Sequence, residues 1–272
     1  MAKVDSTTRY QRNHDRKSTP IRQMDRFFQE AFKASDVAQA LFSWDAGTPA
    51  SEARAKMERM QFDVAGVRIG GGVAGWMQAC DLEDGTCIDA LRAFSESVLL
   101  PSGAPLSEVI VRLGSSRWIF ITAFGEVGGI ITRADLQKAP VRMWLFGLVT
   151  LLEETFSRLL REHFPHDSWQ GELSESRLEK ARILHEERHR RNENLDLIDC
   201  LQFSDKGHIL FKNEEIRSQL GLESRVKAKE LIRSLERLRN HLAHSQDIVT
   251  ENLDTIIKLA RALDRVLELT LG

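Results

Sequence analysis

Apolar and polar positions alternate with two different periods in the first half of the chain. Two stretches with helical spacing, 52–60 and 106–113, are each followed by a short apolar run that suits a strand, 64–69 and 118–124. Residues 21–42 also carry apolar positions at a spacing that predicts one or two helical segments. The first half is therefore predicted to mix helices and strands.

The pattern changes near residue 140. Residues 141–164 carry apolar side chains at helical spacing over several turns. Residues 165–171 break this helix, and the remainder predicts three or four more helices. Strand-like alternation does not continue beyond about residue 173, so we predict an all-α second part.

The middle of the chain repeats itself. The segment VAGWMQACDL, 73–82, aligns without gaps on VGGIITRADL, 127–136, at an offset of 54 residues. Each copy runs helix, strand, turn, strand, and then an Asp-Leu pair that starts another helix. Gly70 to Gly75 also satisfy the dinucleotide-binding pattern G-x-G-x-x-G, but the register of the repeat predicts a strand after them, so these glycines are interpreted as a turn between strands.

Composition limits the class of protein. The chain has 272 residues, with 42% hydrophobic and 29% charged residues and a formal net charge of −2, which predicts a soluble globular protein of one or two domains. The longest nearly apolar stretch, 143–152, is too short to span a bilayer, which needs about 20 residues. Residues 1–20 are polar and mildly basic and predict a flexible arm, with contact to RNA as the alternative. Three cysteines, without an apolar signal segment at the start, predict a cytoplasmic protein.

The repeat, about residues 35–140, resembles a pair of CBS domains, the module named after cystathionine β-synthase. Its second copy, Gly129-Ile-Ile-Thr-Arg-Ala-Asp135, matches that family's pattern best. The resemblance implies an α/β CBS-pair (Bateman-type) module over 21–140, with copies at about 35–93 and 94–140. It also implies a regulatory adenosine-containing ligand of the AMP, ATP, NAD or S-adenosylmethionine type, held between the copies.

By this resemblance, the better nucleotide site contains Gly129, Thr132, Arg133 and Asp135. The Asp would accept the ribose hydroxyls, and the Thr and Arg would bind phosphate. The first copy keeps Asp81 but has Gln78 in place of the Thr, which predicts an empty, weak or differently selective site. The alternative is that the Asp of each copy is an ordinary helix cap.

Two histidines match a zinc-protease signature. His185 and His189 enclose a candidate general base, Glu186, in the pattern H-E-x-x-H. The intervening charges and the two arginines that follow favour a solvated helix face, so we predict no metal site. A metalloprotease remains an alternative function for this motif.

The segment 224–245 is predicted to be an amphipathic helix. Its predicted buried stripe consists of Ala228, Leu231, Leu235, Leu238 and Leu242. Asn240 and His244 lie four residues apart on the opposite face, and Arg239 lies at the edge of the stripe. His241 is on another face and is not expected to take part in chemistry.

Arg239, Asn240 and His244 resemble the R-x4–6-H signature of the HEPN superfamily. The resemblance covers about residues 141–272, with 141–164 similar to that superfamily's first long helix and 197–205 similar to its middle-helix region. It implies an all-α HEPN helical bundle and metal-independent RNA cleavage that leaves a 2′,3′-cyclic phosphate. It also implies a homodimer that brings two copies of the motif to one cleft.

The sequence therefore predicts a nucleotide-regulated, toxin- or defence-type endoribonuclease without a catalytic cofactor. Its expected partners are a second copy through both domains, RNA and an adenine nucleotide, with an antitoxin left open and no membrane. The alternative is a non-catalytic nucleotide-sensing dimerisation or interaction module. A second structural alternative is that Arg239 and His244 only complement the negative end of the helix dipole.

Overall fold

The computed structural model describes residues 30–219, 221–222 and 224–261. Its contacts divide the chain into two compact units, one of residues 29–141 and one that contains the residues from 142 onward. The division falls beside the position near residue 140 where the sequence pattern changes. The predicted arm, 1–20, and the start of the predicted helical region, 21–29, lie outside the described residues.

The first unit, 29–141, contains two copies of one arrangement. In each copy a short strand runs parallel to a longer strand, which pairs antiparallel with the next. The elements of the first copy are β2 (Ser43–Asp45), α1 (Ala50–Met60), β3 (Val64–Ile69) and β4 (Gly72–Gln78). Those of the second copy are β5 (Leu99–Pro101), α2 (Leu106–Ser115), β6 (Trp118–Ala123) and β7 (Glu126–Thr132). The predicted order of helix, strand, turn and strand is confirmed in both copies.

A short leading strand connects the copies. Strand β1 (Gln39–Ala40) pairs antiparallel with β7, so that Ala40 lies opposite Gly129. Among the described strands, the sheet of the second copy has the order β1-β7-β6-β5 and that of the first has β2-β3-β4. Within the described part of 21–42, residue 30 is helical and residues 34–36 form a single 3₁₀ turn, but the helical prediction is wrong at Gln39–Ala40, which form β1.

The glycine-rich run forms a hairpin turn. Gly70 and Gly71 connect β3 to β4 with φ of 62° and 90°, a region that side chains disfavour. Phe124 and Gly125 occupy the equivalent turn between β6 and β7 with φ of 52° and 85°. The interpretation of this run as a turn between strands is confirmed, and no helix follows it.

The two copies share an aromatic cluster. Trp76 of β4 lies 5.7 Å from Trp118 and 5.6 Å from Phe120, measured between ring centroids. Phe94 contacts Phe120 edge-on at 4.8 Å. Since Phe120 is fully buried, these rings form the core between the copies, where each can bury about 150–250 Å².

The second unit is helical over its described residues. Its α-helices are α3 (Ala139–His163), α4 (Glu175–Arg190), α5 (Phe203–Leu210), α6 (Glu214–Gln219) and α7 (Arg225–Ala243), and a helix α8 covers residues 253–261. Short 3₁₀ segments at Pro165–Glu172 and Leu197–Cys200 separate some of them. The predicted long helix and the break after it are confirmed, with positive φ at His166 and Asp167. The described part of the remainder contains five α-helices, where three or four were predicted.

None of the helices in the described ranges is both long and apolar enough to cross a membrane.

Candidate functional site

Helix α7 carries the predicted catalytic residues. It begins after Ser224, whose hydroxyl accepts a hydrogen bond from the Lys227 N–H at 3.2 Å, as an N-cap residue does. The predicted buried stripe is wrong at one position, because Leu231 is only half-buried and Ile232 is fully buried. The other four predicted stripe residues are buried. The side of α7 that carries Asn240 therefore remains open.

The structure leaves all three predicted catalytic side chains exposed at the end of α7. His244 is the first residue beyond the helix, and its N–H donates to the Asn240 carbonyl at 3.0 Å. The Arg239 guanidinium lies 3.8 Å from one carboxylate oxygen of Glu153 on α3, and the other oxygen lies 3.5 Å from the Lys206 ammonium. Arg239 is thus drawn toward α3.

Arg142 and Asn252 fix the surroundings of this motif. The Arg142 guanidinium donates to the carbonyl oxygens of His241, Leu242 and Gln246 at 2.9, 3.1 and 2.9 Å. These bonds satisfy carbonyls that the end of a helix otherwise leaves without partners. Nδ1 of His241 lies 3.0 Å from the Asn252 amide nitrogen. His241 is therefore engaged in a structural contact with Asn252.

The histidines of the H-E-x-x-H pattern lie on α4. Nε2 of His185 lies 2.9 Å from the Leu195 carbonyl oxygen, and the His185 and His189 rings stack with centroids 6.2 Å apart. Glu186 and His189 are exposed. Within the described residues, no group of three or more His, Cys, Asp or Glu side chains is arranged to hold a metal ion.

Asp135, the predicted ribose acceptor, is 3% exposed and fully engaged in the protein. One carboxylate oxygen accepts from the Thr132 N–H at 2.7 Å and from its hydroxyl at 2.9 Å. The other accepts from the Gln39 amide at 2.6 Å and pairs with the Lys138 ammonium at 2.8 Å. Thr132 and Asp135 thus form the reciprocal cap of the 3₁₀ turn Arg133–Gln137.

The same contacts set the charge of Asp135. Burial raises the pKa of this carboxyl, but hydrogen bonds from Lys138, Thr132 and Gln39 outweigh the burial, and the pKa lies below its ordinary value. A carboxylate with several donors keeps its charge in a buried site. Asp135 therefore acts as a buried anion that joins β1 to the end of β7.

Arg133 and Gly129 also have structural contacts. The Arg133 guanidinium donates to the Leu113 carbonyl at 3.0 Å, at the end of α2. A Cβ on Gly129 would lie 3.1 Å from the Ile121 Cβ and 3.4 Å from the Gln39 carbonyl oxygen. The glycine lets β7 pair closely on both sides. The predicted phosphate and ribose residues thus lie together, but each is engaged within the unit.

The first copy is arranged differently. Asp81 pairs with the Arg92 guanidinium at 2.7–2.8 Å, and its side chain is 25% exposed. The Gln78 side-chain oxygen lies 3.6 Å from the Cys80 sulfur. The reciprocal cap that Thr132 and Asp135 form in the second copy has no counterpart at Gln78 and Asp81.

An open cavity of about 520 Å³ lies in the first copy and was not predicted. Its lining includes Phe42 and Lys56, whose ammonium lies 5.2 Å from the Phe42 ring centroid. Arg68 is also part of the wall, and its guanidinium contacts the Asp45 carboxylate at 2.9 Å. These residues come from β2 and the position before it, from α1 and from β3, and no sequence motif marks them.

By its fold, the chain is a tandem β-α-β-β repeat followed by a helical unit. No protein-family profile and no curated protein sequence matches the chain.

Solved structures similar to this chain include several CBS-domain proteins. A CBS domain-containing protein of unknown function from Bacillus anthracis is 12% identical, covers 40% of this chain and 91% of its own, and has a TM-score of 0.36. CBSX2 in complex with AMP is 14% identical, covers 41% and 98%, and has a TM-score of 0.37. The CBS domain of a bacterial CNNM/CorC family Mg²⁺ transporter in complex with ATP is 12% identical, covers 44% and 94%, and has a TM-score of 0.35.

Proposed function

We propose that this chain is a metal-independent RNA endonuclease whose activity responds to an adenine nucleotide. The observation that carries the proposal is the exposure of Arg239, Asn240 and His244 at the end of a helix whose opposite side is buried. Polar side chains of these types, held on a rigid element and open to solvent, suit contact with a substrate. The HEPN resemblance of the sequence supplies the reaction.

In the proposed reaction the His244 imidazole takes the proton of a ribose 2′-hydroxyl, and the 2′-oxygen then attacks the adjacent phosphorus. The bond from phosphorus to the 5′-oxygen breaks, and a second imidazole gives that oxygen a proton. Arg239 stabilises the negative charge that grows on the phosphoryl oxygens. The products are a 2′,3′-cyclic phosphate and a 5′-hydroxyl.

A homodimer is part of this proposal. One chain has only one copy of the motif and so offers one imidazole and one guanidinium. On an ideal helix of 100° per residue, Arg239 and His244 also point about 140° apart. A second copy of the chain would supply the other acid or base. The mass measured by multi-angle light scattering tests this, and a protein that stays monomeric at the concentrations of the cleavage assay contradicts it.

RNA cleavage in EDTA tests the catalytic part. We expect the parent protein to cleave, and His244→Ala and Arg239→Ala to lose at least about 100-fold in rate, the usual contribution of such groups. The matched control is His189→Ala, which removes an exposed helical histidine outside the motif and should cleave like the parent. A parent without activity, or a His244→Ala protein as fast as the parent, overturns the proposal.

The nucleotide part of the proposal rests on the tandem repeat and on its CBS resemblance. Binding of AMP, ATP, NAD and S-adenosylmethionine is measured by calorimetry, and each ligand that binds is added to the cleavage assay. Regulation requires the ligand to prefer one state of the protein, so a binding ligand should change the cleavage rate. If none of the four binds, the nucleotide part falls while the catalytic part stands.

A second candidate is a non-catalytic nucleotide-sensing interaction module. Two observations favour it: Met143 and Phe146 on α3 are 64% and 52% exposed, and the Arg239 guanidinium, although exposed, already has an acidic neighbour in Glu153 at 3.8 Å. Exposed apolar side chains on one helix suit a protein interface. This candidate predicts nucleotide binding and self-association without RNA cleavage, so the assays above separate the two.

A further inference from the structure

A second cavity, of about 480 Å³, lies in the helical unit and is strongly basic. Residues of α4, α5 and α7 contribute to its wall. The lining residues are Arg177, Ser204, His208, Phe211, Lys212, Arg225, Lys229, Arg233 and Glu236. Five of these carry a positive charge, and Glu236 is the one acid among them. We call this cavity the basic groove.

Two of the five cations have carboxylate partners just outside the groove. Arg177 pairs with Asp205, and the Lys212 ammonium contacts a Glu172 carboxylate oxygen at 2.8 Å. The cations contributed by α7 differ. Among the described residues, Arg225, Lys229 and Arg233 make no ion pair with a carboxylate, and the Arg225 guanidinium contacts only a backbone carbonyl, at 3.3 Å.

His208 adds a polar atom without a partner to the wall of the groove. Its Nε2 is enclosed, and no hydrogen-bond partner for it exists in the described part of the chain. Burial lowers the pKa of His208, and the positive charge of Arg177 lowers it further. The imidazole is therefore neutral near pH 7 and has one N–H to donate. Buried polar atoms are rarely left unpaired, so this nitrogen suits a ligand whose polar atom completes a hydrogen bond with it.

The three cations of α7, which have no carboxylate partner among the described residues, lie on the side of the helix that carries Asn240. Arg225, Lys229 and Arg233 follow one another at four-residue intervals, and Asn240 lies two turns after Arg233 on the same side of the helix, which ends just before His244. Four residues advance an α-helix by about 6 Å. The cations thus form a line about 12 Å long that leads toward His244, which suits several phosphates in succession better than one.

We propose that the basic groove binds the phosphate backbone of a single-stranded RNA and directs that strand along α7 toward His244. The proposal rests on the endonuclease function proposed above and assigns its substrate a path. Lys229 and Arg233 bind phosphates, and the groove contributes affinity without reading sequence, because backbone contacts are electrostatic.

Binding of a 2′-O-methyl RNA 20-mer, measured by fluorescence anisotropy, tests the groove without cleavage, since this RNA has no 2′-hydroxyl to react. The test variant is Lys229→Gln with Arg233→Gln. The matched control is Lys258→Gln with Arg261→Gln, which removes one exposed Lys and one exposed Arg from α8, outside the groove. Thermal unfolding followed by circular dichroism checks that both variants fold.

Each phosphate contact on a single strand changes the slope of log K against log salt by about 0.7. Loss of two contacts should therefore reduce the slope by about 1.4 and weaken binding about 10- to 30-fold at 0.1 M salt. The control should bind within twofold of the parent. Equal losses of RNA affinity in the test and control variants contradict the proposed groove. Complete displacement of the RNA by AMP or inorganic phosphate, at concentrations that saturate a single phosphate site, also contradicts it.

The two proposals fail differently. If the parent does not cleave RNA but binds the methylated RNA through Lys229 and Arg233, the endonuclease function falls and the groove stands. If the parent cleaves RNA and the groove variant binds and cleaves like the parent, the groove falls and the endonuclease function stands.

Discussion

Replacement of Asp135 by Asn distinguishes a buried structural anion from a free ligand acceptor. In the parent the two carboxylate oxygens accept four hydrogen bonds, from Thr132, Gln39 and Lys138. An Asn keeps one acceptor oxygen, and its NH₂ group then faces two donors. The change therefore removes two bonds to a buried charge and sets donor against donor.

The expected cost follows from those two bonds. A hydrogen bond to a charged group contributes about 1.5–3 kcal/mol, and Lys138 recovers part of its loss because its side chain is 33% exposed and can turn to water. We expect Asp135→Asn to lower the free energy of unfolding of residues 29–141 by about 2–4 kcal/mol. Urea denaturation followed by hydrogen exchange of peptides from this unit measures the loss.

The repeat supplies the control. Asp81 occupies the equivalent position, but its ion-pair partner is the exposed Arg92, its other contact is the weak Cys80 thiol donor at 3.8 Å, and its side chain is 25% exposed, so Asp81→Asn should cost no more than about 1 kcal/mol. Equal losses in the two variants, or an Asp135→Asn protein as stable as the parent, would refute the reasoning.

The pH dependence gives an independent check on Asp135. Its pKa in the folded protein lies below the ordinary value of 3.8, so the charged form is favoured by folding. The resulting stability is present above that ordinary value and is lost as the pH falls through the folded pKa. The difference in free energy of unfolding between the parent and Asp135→Asn should therefore have its largest value at neutral pH and shrink below about pH 4.

Two further predictions concern the helical unit. In Gly207→Ala the new Cβ would collide with the Ile232 side chain, with Cγ1 at 2.8 Å; overpacking costs about 1–3 kcal/mol against a helix gain of about 1 kcal/mol. We expect Gly207→Ala to lower the free energy of unfolding measured by urea denaturation, and the double variant with Ile232→Val to recover part of that loss. A Gly207→Ala protein at least as stable as the parent contradicts the predicted collision with Ile232. Arg142→Ala removes the three bonds to the end of α7 and should speed amide exchange of residues 241–246 about tenfold, a loss near 1.4 kcal/mol; unchanged exchange contradicts the capping role.

The sequence predicted the elements whose signals are local. The offset of the repeat located both hairpins, and the glycines at 70 and 71 identified the first turn. The strands that were missed are short and depend on distant partners. β2 has three residues and pairs with β3 more than 20 positions later, and β1 has two residues and pairs with β7 of the other copy. Two or three residues do not establish a period of two.

The candidate sites also combine features with a local sequence signal and features that depend on distant partners. Exposure of Asn240 and His244 follows from the helical period of α7, although the same period did not separate Leu231 from Ile232 as the buried residue. The contacts of the second copy could not be predicted, because Gln39 lies 96 positions from Asp135 and the carbonyl that binds Arg133 ends a different helix. The basic groove combines three helices, and only its α7 cations share a pattern in the sequence.

The contacts of Asp135 also limit how a nucleotide can bind at the second copy. Both oxygens of this carboxylate are occupied, so the two hydroxyls of a ribose must displace the Gln39 amide and the Lys138 ammonium, the donors that do not belong to the cap itself. The exchange replaces two hydrogen bonds by two, and one of those lost is an ion pair, so it supplies little net affinity. Affinity at this site must then come from the base and phosphates. In the first copy Asp81 is partly exposed and contacts only Arg92 and the weakly donating Cys80 thiol among the described residues, so a ribose bound there would meet less competition, although the sequence motif matches the family less well.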